Sequence, residues 1–426
     1  MSQSWAMMRR VVAQPGIWAL TDQALVSLGG VATTIILARS LPPATFGVYV
    51  LLFGAMLFLN TVHASLVVYP LSIHGARATP KQMPHLTGSF LVLALLFASP
   101  LVVPFGAMTA ALASWKVVPW AIIALLAWQC QETTRRALFA EMRLRAAIPG
   151  DFIAYLGQAA LILLLAQRGN LTLPTVFMVM IITSLAGLML QLTRVHPRLA
   201  LGASPATLAR VALNDGRWVL PSNLLGSFSM QGLLWMLALI EHTRGAADLQ
   251  SVITIVGVAN PVMFGLGNLL IPMMARARQT TSMAEGRRQF ASAFGLGGVL
   301  LLPYTLLLWI LPSHVLTLVY GTSSPYNGLT TPLRLLALAY LLVYMAHVSN
   351  AALFGLERLH AALVVQIAGS VTLIAAGGLL TLIWGVTGAA LATLLVHLVR
   401  TMLSLRALRP ALLPNEQRLT TLIESA

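Results

Sequence analysis

The sequence predicts an all-α integral membrane protein with about twelve transmembrane helices, arranged as two parallel six-helix lobes around a central cavity. Three observations predict it: an apolar composition, a one-sided distribution of basic residues, and a segment that occurs twice. Hydrophobic residues fill 58% of the 426 positions and charged residues only 9%, where a soluble domain carries about a quarter charged. The apolar runs are continuous rather than alternating, which makes them helices and not barrel strands.

A bilayer core about 30 Å thick takes about 20 apolar residues per helix. In chain order the runs predict spans at 17–38, 47–73, 86–108, 117–134, 151–168, 172–193, 217–240, 250–273, 290–311, 328–352, 360–383 and 386–404. The first follows Arg9 and Arg10 as a secretory signal would. Ile17 to Ala38 is nevertheless too long for a signal core and carries Asp22 and Gln23, so a retained first helix is expected. The last two spans come from Leu359 to Val399, a stretch without Asp, Glu, Lys or Arg that is twice one span. A tight turn at Trp384-Gly385-Val386-Thr387-Gly388 is expected to divide it.

With the N-terminus inside, 21 of the 26 Lys and Arg fall in cytoplasmic segments, leaving Arg39, Lys116, Arg168, Arg244 and Arg334 outside. This is the positive-inside pattern, and an even helix count then places both termini in the cytoplasm. The formal charge of +15 would suggest nucleic acid in a soluble chain. Here the basic residues sit in short clusters between apolar runs, with no stretch large enough to fold as a nucleic-acid module.

The duplication is written in two places. Ala137 to Ile148 reads ALFAEMRLRAAI and Ala352 to Leu363 reads ALFGLERLHAAL, identical at seven of twelve positions, with Arg143 matching Arg358. Gly16-Ile17-Trp18-Ala19-Leu20 is echoed by Gly216-Arg217-Trp218-Val219-Leu220, and at that offset Gln23 meets Asn223, Ser27 meets Ser227 and Asn60 meets Asn260. The expected division is a lobe at 1–200, a second at 201–404 and a cytoplasmic tail at 405–426. Because six is even, the halves share one orientation in the membrane, as in transporters built from parallel repeats.

Cys130 is the single cysteine, so no disulfide framework or thiolate metal cluster is expected. The chain has no HExxH, Walker loop or paired histidine ligands, and no metal, bound cofactor or catalytic residue is expected. His63 and His347 read as hydrogen-bonded membrane histidines.

Polar residues inside the spans are the candidates for function. Gln23, Ser27, Gly30 and Thr34 fall on one face of the first helix, and the second half repeats the start of that stripe as Asn223, Ser227 and Gln231. These residues either offer hydrogen bonds to a shared cavity or pack helix on helix. Asp22 is the single acid well inside any expected span. It either binds a coupling proton, holds an arginine in place, or lies near enough to the cytoplasmic face to be wet. Arg39 and Arg334 mark the outer boundary and Arg135, Arg136 and Arg217 the inner one. Glu132 stands at the spacing of helical ion pairs with Arg135 and Arg136.

The chain resembles the polysaccharide exporters, or lipid-linked oligosaccharide flippases, of the multidrug, oligosaccharidyl-lipid and polysaccharide exporter (MOP) superfamily. The resemblance spans nearly the whole chain. It rests on the opening LTDQALVSLGGVATTIILARSLPPATFGVYVL, the Tyr320-Gly321 turn followed by Tyr326 and Leu333-Arg334-Leu335-Leu336, and the closing Gly385, Gly388 and Ala389. It implies a non-enzymatic transporter of the bacterial inner membrane whose cargo is a polyprenyl-diphosphate-linked glycan. Its surroundings would be membrane lipids, with a glycan polymerase and glycosyltransferases of the same pathway as partners. Asp22, Gln23, Ser27, Arg39, Asn60, Asn223, Ser227, Gln231, Asn260 and Arg334 are the expected substrate-binding set, Arg334 facing the interior to meet the diphosphate. A cation-coupled multidrug exporter and a lipid II flippase are alternatives within the superfamily. A membrane glycan polymerase or ligase would need a large outer loop with catalytic polar residues, whereas the longest outer segment, about Pro312 to Asn327, holds His314 and no Asp, Glu, Lys or Arg.

Overall fold

The computed structural model describes residues 15–198, 205–217, 219–279 and 283–412. Trp5, Arg9, Arg10, Trp218, Thr281, Arg418 and the end of the tail lie outside them. Among the described residues the chain is helical throughout, with no strand.

Among the described residues eight helical runs are long and apolar enough to cross a bilayer, or nine if a bent pair counts as one span. These are α1 (Pro15–Ser40), α2 (Pro43–Arg77), α3 (Met83–Ala98 with Val102–Leu112), α5 (Leu144–Gln167) and α6 (Leu173–Val195), and then the runs of the second half. α3 bends by 51° where Pro100 removes a backbone donor. Between α3 and α5 stands α4 (Val118–Ala140), less apolar than its neighbours because its second half carries Gln129, Gln131, Glu132, Thr133, Thr134, Arg135 and Arg136. A short helix, α7 (Pro205–Gly216), follows α6. The run Val219–Arg278 leaves helical geometry at Glu241 and His242, giving α8 (219–240) and α9 (243–278). Then come α10 (Met283–Ile310), the short α11 (Pro312–Tyr320) and α12 (Thr330–Gly355). Leu359–Pro410 breaks at Gly385, φ +54°, into α13 (359–384) and α14 (386–410). Leaving out α7 and α11, the twelve spans are those the sequence predicts, and Gly385 is the expected turn. Several ends are corrected: α4 runs to Ala140 rather than to 134, its Glu132 and Arg135 finding buried partners, and α5, α9 and α10 begin at 144, 243 and 283 rather than at 151, 250 and 290.

Chain contacts divide the molecule into residues Met1–Gln231 and Gly232–Ala426. The first unit takes α7 and the start of α8 with it. Ala212 of α7 is buried in a core with Val67, Leu71, Phe90 and Leu138. Gly216 lies against the Ser65 carbonyl so closely that a Cβ there would collide. His74 meets Asp215 at 2.8 Å, and the Asn223 amide donates to Ser65 Oγ at 3.0 Å.

The duplicated segment folds the same way in each unit. Met142 and Glu357 both take positive φ, 58° and 54°. Arg143 N donates to the Leu138 carbonyl and Arg358 N to the Leu353 carbonyl, each at 2.9 Å. Both helices thus end in the two-bond motif that a left-handed residue permits. The Arg143 guanidinium then donates to the Arg194 carbonyl at the end of α6, and the Arg358 guanidinium to the Ala407 carbonyl at the end of α14. Ala137, Leu138 and Ala147 belong to the core of the first unit, and their counterparts Ala352, Leu353 and Ala362 to that of the second. A π-helical turn interrupts the fifth span at Phe152–Gly157 and the eleventh at Leu373–Gly377.

Candidate functional site

The first unit contains a charged cluster drawn from four spans. α4 supplies Arg135, which is 4% exposed. Its guanidinium pairs with Asp22 of α1, with Glu132 one turn earlier at 2.8 Å, and with Asp151 of α5 at 3.2 Å. Asp22, Asp151 and Glu132 are all buried. Glu132 also accepts from Arg136 at 2.6 Å, and both guanidinium groups lie over the Phe139 ring. The second carboxylate oxygen of Asp151 accepts from the amides of Gln131, at 2.8 Å, and Gln191 of α6, at 3.0 Å. Thr134 donates to the Gln191 carbonyl oxygen at 2.9 Å.

Small residues make this convergence possible. A Cβ on Gly29 would stand 2.7 Å from the Tyr155 backbone, so α1 rests directly on the π-helical turn of α5. A Cβ on Gly150 would stand 2.8 Å from Gln191, and one on Gly187 2.7 Å from the Gly150 carbonyl. α5 and α6 therefore touch backbone to backbone, which places Gln191 beside Asp151. Close approach through glycine is the usual way helices associate in lipid.

Counted in charge, the cluster holds three carboxylates against two guanidinium groups. With every member ionised it carries one net negative charge, and all of its members but the half-exposed Arg136 are buried, where an unbalanced charge is costly by desolvation. One proton taken up by its carboxylates would make the cluster neutral.

The rest of the expected substrate-binding set is dispersed. Gln23 and Ser27 are half-buried on the flank of α1 next to the face that carries Asp22, Gly29 and Thr33. Thr34 donates to the Gly30 carbonyl of its own helix. Arg39 is exposed at the end of α1, and Asn60 sits in α2 with a buried carbonyl oxygen that has no partner among the described residues. In α8, Asn223 is held by Ser65, Ser227 is half-buried and Gln231 is buried. Asn260 bonds to Tyr340 within the second unit. Arg334 is exposed, and its Nε donates to the Trp309 carbonyl at 2.9 Å, capping the end of α10. Of the set, only Asp22 enters the cluster. Gln131, Asp151 and Gln191 were absent from it.

Carried across at the spacing of the twelve-residue echo, Arg135 corresponds to Asn350, Thr134 to Ser349 and Asp151 to Gln366. The second half keeps polar groups at these places and loses the charges. The Asn350 and Gln366 carbonyl oxygens and the Ser349 hydroxyl are buried without a partner among the described residues.

No protein-family model matches the chain and neither does any curated protein. Solved structures do. An inward-facing multidrug resistance MATE family transporter of the MOP superfamily aligns with a TM-score of 0.76 over 90% of this chain and 95% of that one, at 14% identity. The fold is that of the MOP-superfamily transporters. The lipid II flippase MurJ in an inward closed conformation shares it, with a TM-score of 0.72 over 92% of this chain and 87% of MurJ at 8% identity. So does a MOP superfamily transporter from Pyrococcus furiosus described as having a binding pocket of reverse polarity, at 0.62, 12% identity and coverage of 94% and 95%. The MOP fold holds two lobes of six helices, in keeping with the twelve spans and the duplicated segment of this chain.

Proposed function

We propose that the chain is a proton-coupled transporter of the bacterial inner membrane, with both termini in the cytoplasm, that flips a polyprenyl-diphosphate-linked oligosaccharide or exopolysaccharide precursor. The observation that carries the coupling is the net acidic cluster of Asp22, Glu132, Asp151, Arg135 and Arg136. A proton entering it releases part of the hold of Asp22 and Asp151 on Arg135 and so loosens α1 from α4 and α5. The lobes, 1–200 and 201–404 with a tail at 405–426, then expose the cargo alternately to each side. Support for a lipid-linked cargo comes from the opening and Tyr320-Gly321 sequence patterns and from the likeness to a lipid II flippase. Glycosyltransferases would supply the cargo and a polymerase would consume it.

A second reading is a cation-coupled multidrug exporter. It is favoured by the same acids, since Asp22 is joined by Asp151 and Glu132 rather than standing alone.

The test is a strain lacking the protein. The proposal expects lipid-linked oligosaccharide to be made and to accumulate on the cytoplasmic leaflet, with export restored by the wild-type chain and lost on collapsing the proton gradient. Normal export together with raised sensitivity to cationic drugs would replace it with the second reading.

A further inference from the structure

α9 and α10 of the second unit enclose a groove of about 340 Å³, within the range of small-ligand sites. One end is polar: Glu285, Arg288, Gln289 and Ser292 on α10. The remainder is apolar, with Leu266, Leu269, Leu270 and Met273 on α9 facing Ala293 and Leu296 on α10. The apolar track continues past the groove, because Val299 and Leu300 are exposed and a Cβ on Gly295 would meet nothing within 4 Å. From Arg288 to Leu300 the helix rises about 18 Å, close to the thickness of one leaflet of a bilayer core of about 30 Å. The groove is therefore matched in length and polarity to one lipid molecule.

The polar end says which lipid. Arg288 is exposed and joins no ion pair among the described residues, so its guanidinium is available to a phosphate. Glu285 stands one turn away, and an anionic headgroup would meet its charge unfavourably. One Glu285 oxygen accepts from the Gln289 amide at 3.0 Å, while the Gln289 carbonyl oxygen is buried with no partner among the described residues. A carboxylate and an orphaned carbonyl side by side call for a cationic donor with several N–H groups. A primary ammonium has three, and a quaternary ammonium has none.

We propose that the groove binds a phosphoethanolamine phospholipid, its phosphate on Arg288, its ammonium on Glu285 and Gln289, and an acyl chain along Leu266, Leu269 and Leu296. The site is separate from the charged cluster and needs only that the chain spans a membrane.

The experiment titrates the delipidated full chain in detergent with phosphatidylethanolamine, phosphatidylcholine and phosphatidylglycerol of identical acyl chains, counting bound lipid by native mass spectrometry. Phosphatidylethanolamine should bind about fivefold tighter than either competitor, the effect of one partly exposed charge contact. Glu285→Gln and Gln289→Leu should each erase the advantage over phosphatidylcholine while leaving phosphatidylcholine binding unchanged. Arg288→Gln should weaken both, and Leu296→Trp should weaken all three by filling the groove. Each variant is compared at an unchanged melting temperature, with Ser292→Ala as a second, milder substitution at the polar end. Equal binding of the three lipids, tighter phosphatidylglycerol, or selectivity that survives Glu285→Gln and Gln289→Leu would overturn the proposal.

Discussion

Asp22 and Arg135 stand 113 positions apart and form a buried ion pair between the first and fourth spans. Arg135 is the hub, since Glu132 and Asp151 meet the same guanidinium. The two ends of the pair are consequently unequal. Removing the arginine leaves Asp22 and Asp151 without a cationic partner, Glu132 keeping Arg136, whereas removing the Asp22 charge leaves Arg135 with two partners and the cluster neutral.

Arg135→Leu is therefore expected to lose about 3–5 kcal/mol of stability, the usual result of breaking a buried pair from one side. Asp22→Asn should stay folded and bind detergent normally. Melting curves of the two purified variants check the order, and an Arg135→Leu protein as stable as wild type would contradict it. In proteoliposomes Asp22→Asn should move cargo at a rate that no longer rises with an inward proton gradient, because the cluster is then neutral with every remaining member ionised.

Two adjacent glycines on α1 should respond oppositely to the same change. Gly29→Ala sets a methyl 2.7 Å from the Tyr155 backbone, while Gly30→Ala meets nothing within 4 Å. The first is expected to cost about 3 kcal/mol through overpacking, and the second to be neutral or slightly stabilising as a helix interior exchanges glycine for alanine. Comparable melting temperatures for the two would mean that α1 does not rest on α5 as described.

At the end of α7, Asp215→Asn breaks a contact with His74 whose side chains are 33% and 38% exposed. A loss of less than about 1 kcal/mol is expected. Gly216→Ala should cost more, since its methyl would be driven into the Ser65 carbonyl and no flexible side chain can yield. Thermal unfolding of both variants in one detergent gives the ranking.

Topology is open to direct measurement. Reporters inserted after Pro42, near Gly245 and near Ser323 should read as periplasmic, and those near Lys81 and Arg143 and at the C-terminus as cytoplasmic. The arginine distribution is the reason, and a periplasmic C-terminus would be incompatible with twelve spans and an internal N-terminus.

The spans were legible because hydropathy is a property of composition, and the Gly385 turn because only a bilayer can divide a charge-free run of that length. Asp22 was legible as an acid where lipid should be. Holding an arginine in place is among the roles its position suggests, but which arginine is not legible, because a span ending at residue 134 leaves Arg135 in the headgroup region. Asp151 and Gln191 are brought together by the Gly150 and Gly187 contact, a feature of three-dimensional packing with no fixed sequence spacing. Arg334 illustrates the reverse: an arginine inside a span suggested an anionic ligand, and the structure gives it the Trp309 carbonyl. Which carbonyl a capping side chain will reach depends on where a neighbouring helix ends, and hydropathy places helix ends only loosely.

The replacement of Arg135 and Asp151 by Asn350 and Gln366 at matching places gives the duplicated chain a direction. Two identical copies would respond to acidification together and by equal amounts, so neither could lead. Amides do not titrate in the physiological range, so the second copy lacks the Asp151 carboxylate that a fall in pH can neutralise, and its titratable group at a matching place is a base, His347, where the first copy has Glu132. Divergence at these few positions is enough to make the two halves of a duplicated chain chemically unequal towards a proton.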